Sequence, residues 1–368
     1  RSYHHAIKTN HHMMKAYING HSAVSPQKTF TGPFLHNDPV NYSVTGRLRC
    51  IEPPVSEFIE PMVSRRMSRI IRLGVCSALQ CLRNADAGNP DGIITGTGLG
   101  CIDDTEKFLR TMYNNEEKLL NPTPFIQSTH NTLSSAIAIN IKCNSYNSTY
   151  VHRGNSFESA LTDAVLLLHE NSDENILIGG ADELTIDSFT ITDRLAFWKK
   201  EPVESLKLLD YKSNGSLAGE GMTFFLLSRS KNEKSYAAAE IPEMFYKPGN
   251  ISETGQRISS YIRRKVEHSG NIDLVIMGLN GDIRSDEIYY SLKETVFHGI
   301  PCAYYKHLCG EYDTSSAFAM FIAAEIIRNQ YVPLYICVDN NRPEKIKNVL
   351  IYNHQRNTNH SLILLSSC

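Results

Sequence analysis

Residues 148–168 read STYVHRGNSFESALTDAVLLL. The stretch opens as a strand, Thr149–Val151, and closes as a helix, Ser156–Glu170, with one apolar face. Between them His152-Arg153-Gly154-Asn155-Ser156 forms a tight polar junction. A strand passing so abruptly into a helix is the unit of an α/β fold. The helix N-terminus carries unpaired N–H groups and partial positive charge, which favours a nucleophile that must become an anion. The sequence must therefore say whether a nucleophile stands here.

The same grammar repeats on both sides. Upstream, Lys15–Asn19 reads as a strand and Val55–Asn84 as at least one helix. DGIITGTGLG (91–100) is a strand entering a glycine turn, with Glu106–Asn114 as the following helix. Downstream, NILIGGAD (175–182) is a buried strand, and Met222–Leu227 is another after an Asn214-Gly215 turn. The polar run Ser228–Ser235 reads as a boundary. Beyond it, helices are expected at Ser252–Val266, Ser285–Val296 and Thr314–Ile327. Strands are expected at Leu274–Met277, Cys302–Tyr305, Pro333–Val338, Val349–Tyr352 and Ser361–Leu365. Strands alternating with helices in both halves predict α/β with largely buried, mixed or parallel sheets. The expected organisation is a leader at 1–13, one half at 14–235 and a second at 236–368. The leader, RSYHHAIKTNHHM, lacks apolar periodicity; its two His-His pairs could bind a metal, but a disordered or foreign segment is the simpler account.

Bulk composition excludes several classes. A length of 368 residues with 41% hydrophobic content supports a large core. The net charge of −2, without a basic block, argues against nucleic acid. No apolar run approaches the ~20 residues of a membrane span. Nine cysteines stand singly with no CxxC pair, so a disulfide framework is not expected and the thiols point to the cytoplasm. The histidines show no ligand spacing, so neither a metal nor a cofactor is expected. GTGLG (96–100) is GxGxG rather than the dinucleotide GxGxxG, and reads as a tight turn.

Two further stretches carry chemistry-bearing residues. YKHLCGEYDTSSA (305–317) packs Lys306, His307, Cys309 and Glu311 ahead of a helix. Cys309 could be a nucleophile beside a base, or a thiol in a buried turn; Glu311 and Asp313 could simply answer the helix dipole. GLNGDIRSDE (278–287) places Asn280 and Asp282 at a strand's carboxyl end, where open α/β sheets hold ligands.

Taken in order, these motifs resemble the β-ketoacyl-acyl-carrier-protein synthases, condensing enzymes of the thiolase-like superfamily. The resemblance runs from MKAYINGHSAVSP (14–26) through GIITGTGLG (92–100), DDTEKFL (103–109) and PTPFIQSTHNTLSSAIAINIKC (122–143). It is closest at ILIGGADELT (176–185) and DYKSNGSLAGEGMTFFLLSR (210–229). It implies a duplicated thiolase-like fold of five layers, α-β-α-β-α, with two mixed sheets. It also implies dimerisation through the strand before the nucleophile, about Thr149–Val151. The family's chemistry uses a helix-N-terminal cysteine, two histidines that stabilise an enolate, and a supporting lysine.

Carried onto this chain, the cysteine position falls on Gly154 and the histidine positions on Asn280 and Glu311. Only the lysine survives, as Lys306. The glycine-rich gate near the C-terminus is replaced by NHQRNTNHS (353–361). The leading expectation is a non-catalytic subunit resembling chain-length factors. It would pair with an active β-ketoacyl synthase, or with itself, and act near an acyl carrier protein in fatty acid, polyketide or aryl-polyene assembly. The alternatives are an enzyme with displaced chemistry, using Ser156 with His152 or Cys309 with His307, and a module that binds acyl groups without reacting.

Overall fold

The computed structural model describes residues 14–170 and 175–368; the leader, with its histidine pairs, lies outside the described residues. Strand β1 (Lys15–Val24) begins the first half. It is followed by α1 (Arg69–Ala85), β2 (Gly92–Gly96), α2 (Ile102–Asn114), α3 (Thr132–Ile141), β3 (Tyr146–Tyr150) and α4 (Ser156–Glu170). Then come β4 (Asn175–Asp182), α5 (Ile186–Arg194) and β5 (Gly221–Ser228). In space the strands run β3-β2-β4-β5-β1. β2 is parallel to β3 and β4, whereas β5 is antiparallel to β4 and β1.

The chain then repeats the pattern. β6 (Ala238–Glu240), β7 (Glu243–Tyr246), α6 (Ile251–Ser269), β8 (Leu274–Met277), α7 (Ile283–Glu294) and β9 (Cys302–Tyr304) precede α8 (Ser315–Asn329), β10 (Asn348–Gln355) and β11 (Asn359–Ser366). The order β9-β8-β10-β11 matches β3-β2-β4-β5 of the first half, with β6 and β7 both pairing β11 where β1 pairs β5. The senses match too: β8 is parallel to β9 and β10, and β11 antiparallel to β10. The fold is therefore duplicated.

Residue alternation builds the layers. In β4, Ile176 and Ile178 face the central core while Leu177 faces the layer holding α1 and α3. In β10, Val349 and Ile351 face the centre while Leu350 faces the layer of α6 and α7. Helices α4 and α8 lie between the two halves, and α8 is buried on almost every side, as its Phe318–Ile327 composition requires. Each fully buried Leu, Ile or Phe contributes roughly 1.5–3 kcal/mol. Five layers result, helices outermost and at the centre.

The halves are not separate sheets. β6 pairs with β1 (Lys15↔Glu240) on one side and with β11 (Leu365↔Ala239) on the other, giving one eleven-stranded sheet in which ten strands form a continuous path and β7 pairs with β11 off it. Small, buried Ala237, Ala238 and Ala239 permit the close seam.

Some local expectations change. Pro333–Val338 is not a strand; Leu334–Ile336 forms a 3-10 turn, with only a Val338 N–H to Cys302 C=O bond reaching β9. Pro333 lacks the N–H a strand would donate. Val55–Asn84 breaks into two short turns, at Val55–Glu57 and Pro61–Ser64, before α1 begins. Helix α5 lies outside the elements expected from periodicity, although Thr185 and Ser188 form a reciprocal capping box at its start. Among the described residues, no helix is long and apolar enough to cross a membrane.

Candidate functional site

The junction before α4 is a single 3-10 turn, Arg153–Asn155, with Arg153 in the left-handed region at φ 53°. Ser156 holds it closed. Its hydroxyl accepts from His152 N–H at 2.8 Å and faces the carbonyls of Arg153 at 2.7 Å and Thr97 at 2.9 Å. The end of β2 sits directly on this turn: a side chain at Gly96 would come within 2.5 Å of the Ser156 backbone. Ser156 is fully buried, and the His152 ring instead meets Ser159 Oγ at 2.9 Å. The geometry therefore gives Ser156 a structural task and separates it from the base suggested for it.

Gly154 is buried and faces the tip of the β10–β11 hairpin. A β-carbon at 154 would lie 2.7 Å from Gln355 Cβ. The Gly154 N–H donates to Gln355 Oε1 at 3.2 Å, while Gln355 Nε2 donates to Asp313 Oδ1. Asp313 Oδ2 lies 3.6 Å from the Arg153 guanidinium. Burial, reinforced by the charge of Asp182, pushes the Asp313 carboxyl up to about 7.

Lys306, Glu311 and Asn280 form a second network. Lys306 is fully buried and donates to Glu311 Oε1 at 2.9 Å and Oε2 at 2.7 Å. Asn280 Nδ2 donates to the same Oε2 at 2.7 Å. The Asn280 and Gly281 N–H groups donate to Asp286, whose carboxyl burial pushes up to about 7. The loop Glu311–Asp313 joins both networks, so Gly154, Asn280, Glu311 and Lys306 converge on one locality. Glu311 and Asp313 thus make specific side-chain pairs and do more than answer the α8 dipole.

The other candidates lack what catalysis needs. Cys309 is fully buried, its thiol directed at Gly310 C=O at 3.3 Å, and burial drives it far from ionisation. His307 is buried against Tyr304 with ring centroids 4.0 Å apart, and burial lowers it to about 3, too weak a base to take a thiol proton. The GTGLG turn spends donors on the protein itself: Gly98 N–H and Thr97 Oγ1 both bind Asp182, at 2.7 and 3.1 Å. Asp182 also accepts from Thr314 N–H and Oγ1, each at 2.8 Å. A cleft of about 370 Å³ opens between the starts of α1, α2 and α5. Much of its charge is paired internally, Arg69 with Glu220 at 2.8 Å, Lys107 with Asp103 at 2.5 Å, and Arg110 with Asp187.

Sequence reasoning missed Gln355 and the role of Asp313. The signal was the polar run 353–361 standing where the family resemblance implies glycines.

Residues 48–194 match the family described as beta-ketoacyl synthase, N-terminal domain. No curated protein matches the chain. Solved structures share the fold over nearly the whole length. The ishigamide ketosynthase/chain length factor is 15% identical, with a TM-score of 0.77, over 96% of this chain and 99% of that one. A beta-ketoacyl synthase from Burkholderia phymatum STM815 is 13% identical, with a TM-score of 0.77, over 97% and 100%. A ketosynthase in complex with its chain length factor, from Xenorhabdus doucetiae, is 15% identical, with a TM-score of 0.74, over 96% and 98%. The fold is thiolase-like, and the resemblance to the ketosynthases holds.

Proposed function

We propose that this ketosynthase-fold chain is a non-catalytic subunit of the chain-length-factor kind, paired with an active β-ketoacyl synthase or with a second copy of itself. One observation supports the reading: Gly154, the position the resemblance assigns to the nucleophile, has no side chain, and Gln355 occupies the adjoining space. At the positions the resemblance assigns to the two histidines, Asn280 donates to Glu311, and Glu311 in turn pairs with Lys306. A carboxylate paired with a lysine cannot donate hydrogen bonds to an enolate as an imidazole can. On the same reading the halves divide at 235/236.

The outer surface supports a partner. β3 ends the sheet, so one backbone edge is open among the described residues. Beside it, Ile139 is 78% exposed, with Tyr146, Val151, Phe125 and Ile126 also on the surface. An open strand edge with apolar neighbours is a template for pairing. An acyl carrier protein would serve the assembled pair.

The test supplies the purified chain with acyl- and malonyl-loaded carrier protein and assays for β-ketoacyl product, while sedimentation gives its association state. The expected result is no product and a dimer. Turnover would instead favour displaced chemistry at Ser156 or Cys309.

A further inference from the structure

The β10–β11 hairpin is tied down unusually well at its tip. Arg356 and Asn357 both lie in the left-handed region, at φ 50° and 51°, and Thr358 N–H closes on Gln355 C=O at 2.9 Å. The three residues 356–358 thus close the hairpin between the paired Gln355 and Asn359. Gln355 then reaches three segments: Gly154 N–H, Asp313, and Asn359 Nδ2 at 3.3 Å. The Arg356 guanidinium lies over the Phe197 ring, 3.3 Å from its centroid. Behind the tip, His354 Nε2 meets Ser285 C=O at 3.1 Å, and His354 N–H donates to Tyr289 Oη at 3.0 Å. A segment that opens and closes in function is drawn from the weakly held parts of a fold; this one is anchored to the α4 junction, the 195–198 loop, the 311–313 loop and α7.

We propose that Gln355 and Arg356 form a fixed stopper over the head of α4, closing residue 154 to anything larger than water in the resting protein. The inference stands on geometry and holds whether or not the chain is a partner subunit. Gln355 is the plug, because its Cβ and amide fill the space a side chain at 154 would need. Arg356 is the latch, holding the hairpin tip by its contact with the Phe197 ring.

Accessibility tests it without any acyl chemistry. Hydrogen exchange is measured by mass spectrometry on the full chain and on the Q355A/R356A variant, after circular dichroism confirms folding. Exchange at Gly154–Asn155 should rise at least tenfold in the variant, with the α8 peptides unchanged. In a second arm, Gly154→Ala should lower the melting temperature with Gln355 intact, because its β-carbon meets Gln355 Cβ at 2.7 Å, and most of that loss should be recovered when Gln355 is also replaced by alanine. Should the double substitution prevent folding, R356A alone should still give a measurable increase in exchange at 154–155. Unchanged exchange, or an equal loss from Gly154→Ala in both backgrounds, would overturn the stopper.

Discussion

At residue 154 the absence of a side chain accounts for more than any group that is present. Gly154 leaves the α4 head without a thiol, and Gln355 takes the space. On the proposed reading, Gly154→Cys is expected to yield no condensation product in a radiolabelled malonyl assay, because Asn280 and Glu311 would still stand at the two imidazole positions. The Lys306–Glu311 pair predicts a stability pattern. Lys306→Met strands the Glu311 carboxylate and should cost about 3 kcal/mol in denaturant unfolding, at the low end of buried-pair losses because Glu311 is partly exposed. Adding Glu311→Gln should recover part of that loss, and a purely additive double variant would contradict the coupling. The raised carboxyls predict a pH trend. Asp313 and Asp286 stand near 7 and Glu183 near 8, mainly through burial, against roughly 4 when unfolded. The folded state therefore keeps protons the unfolded state has released, and this stability is lost as pH rises through 7 to 8. His307 and His360, lowered to about 3 and about 4, oppose the trend only below about 6.5. The melting temperature should fall from pH 6.5 to 8.5, with a shallower slope in Asp313→Asn; an equal slope would contradict the assignment. Of this site, Gly154, Asn280, Lys306 and Glu311 were legible because each sits in a motif. Gln355 was not, because its contacts join residues 201 positions apart.

At the scale of elements, β3 and α3 form the face that the proposed partner would cover. Ile139→Asp should weaken association at least tenfold by sedimentation while leaving the melting temperature within a degree, since Ile139 is exposed in the single chain. A dimer of unchanged affinity would move the interface elsewhere. Most elements could be read from periodicity: Ser156–Glu170, Asn175–Asp182 and Leu274–Met277 coincide with their expected spans. The failures have local causes. Pro333–Val338 has strand-like residues but no neighbour able to form a full ladder, so only one bridge forms to β9. The run 353–361 carries no Asn-Gly or Asp-Gly signal, yet Arg356 and Asn357 adopt the tight-turn conformation because long strands on both sides impose it. Tertiary pairing overrode turn preference there.

For the whole molecule, the duplication explains why so divergent a chain keeps its architecture. Each half repeats one strand order, and the central layer of α4 and α8 is filled by residues from both. Alternating apolar residues specify such layers without fixing any catalytic group, so the scaffold persists when chemistry at its centre is replaced. On the proposed reading this scaffold holds no condensing nucleophile. Intact-protein mass spectrometry tests it most directly, with the chain incubated beside an active synthase and carrier protein loaded with acyl groups of several lengths. The account predicts that the synthase gains one acyl mass and this chain gains none. An acyl adduct on this chain, mapped by peptide to Ser156 or Cys309, would contradict it.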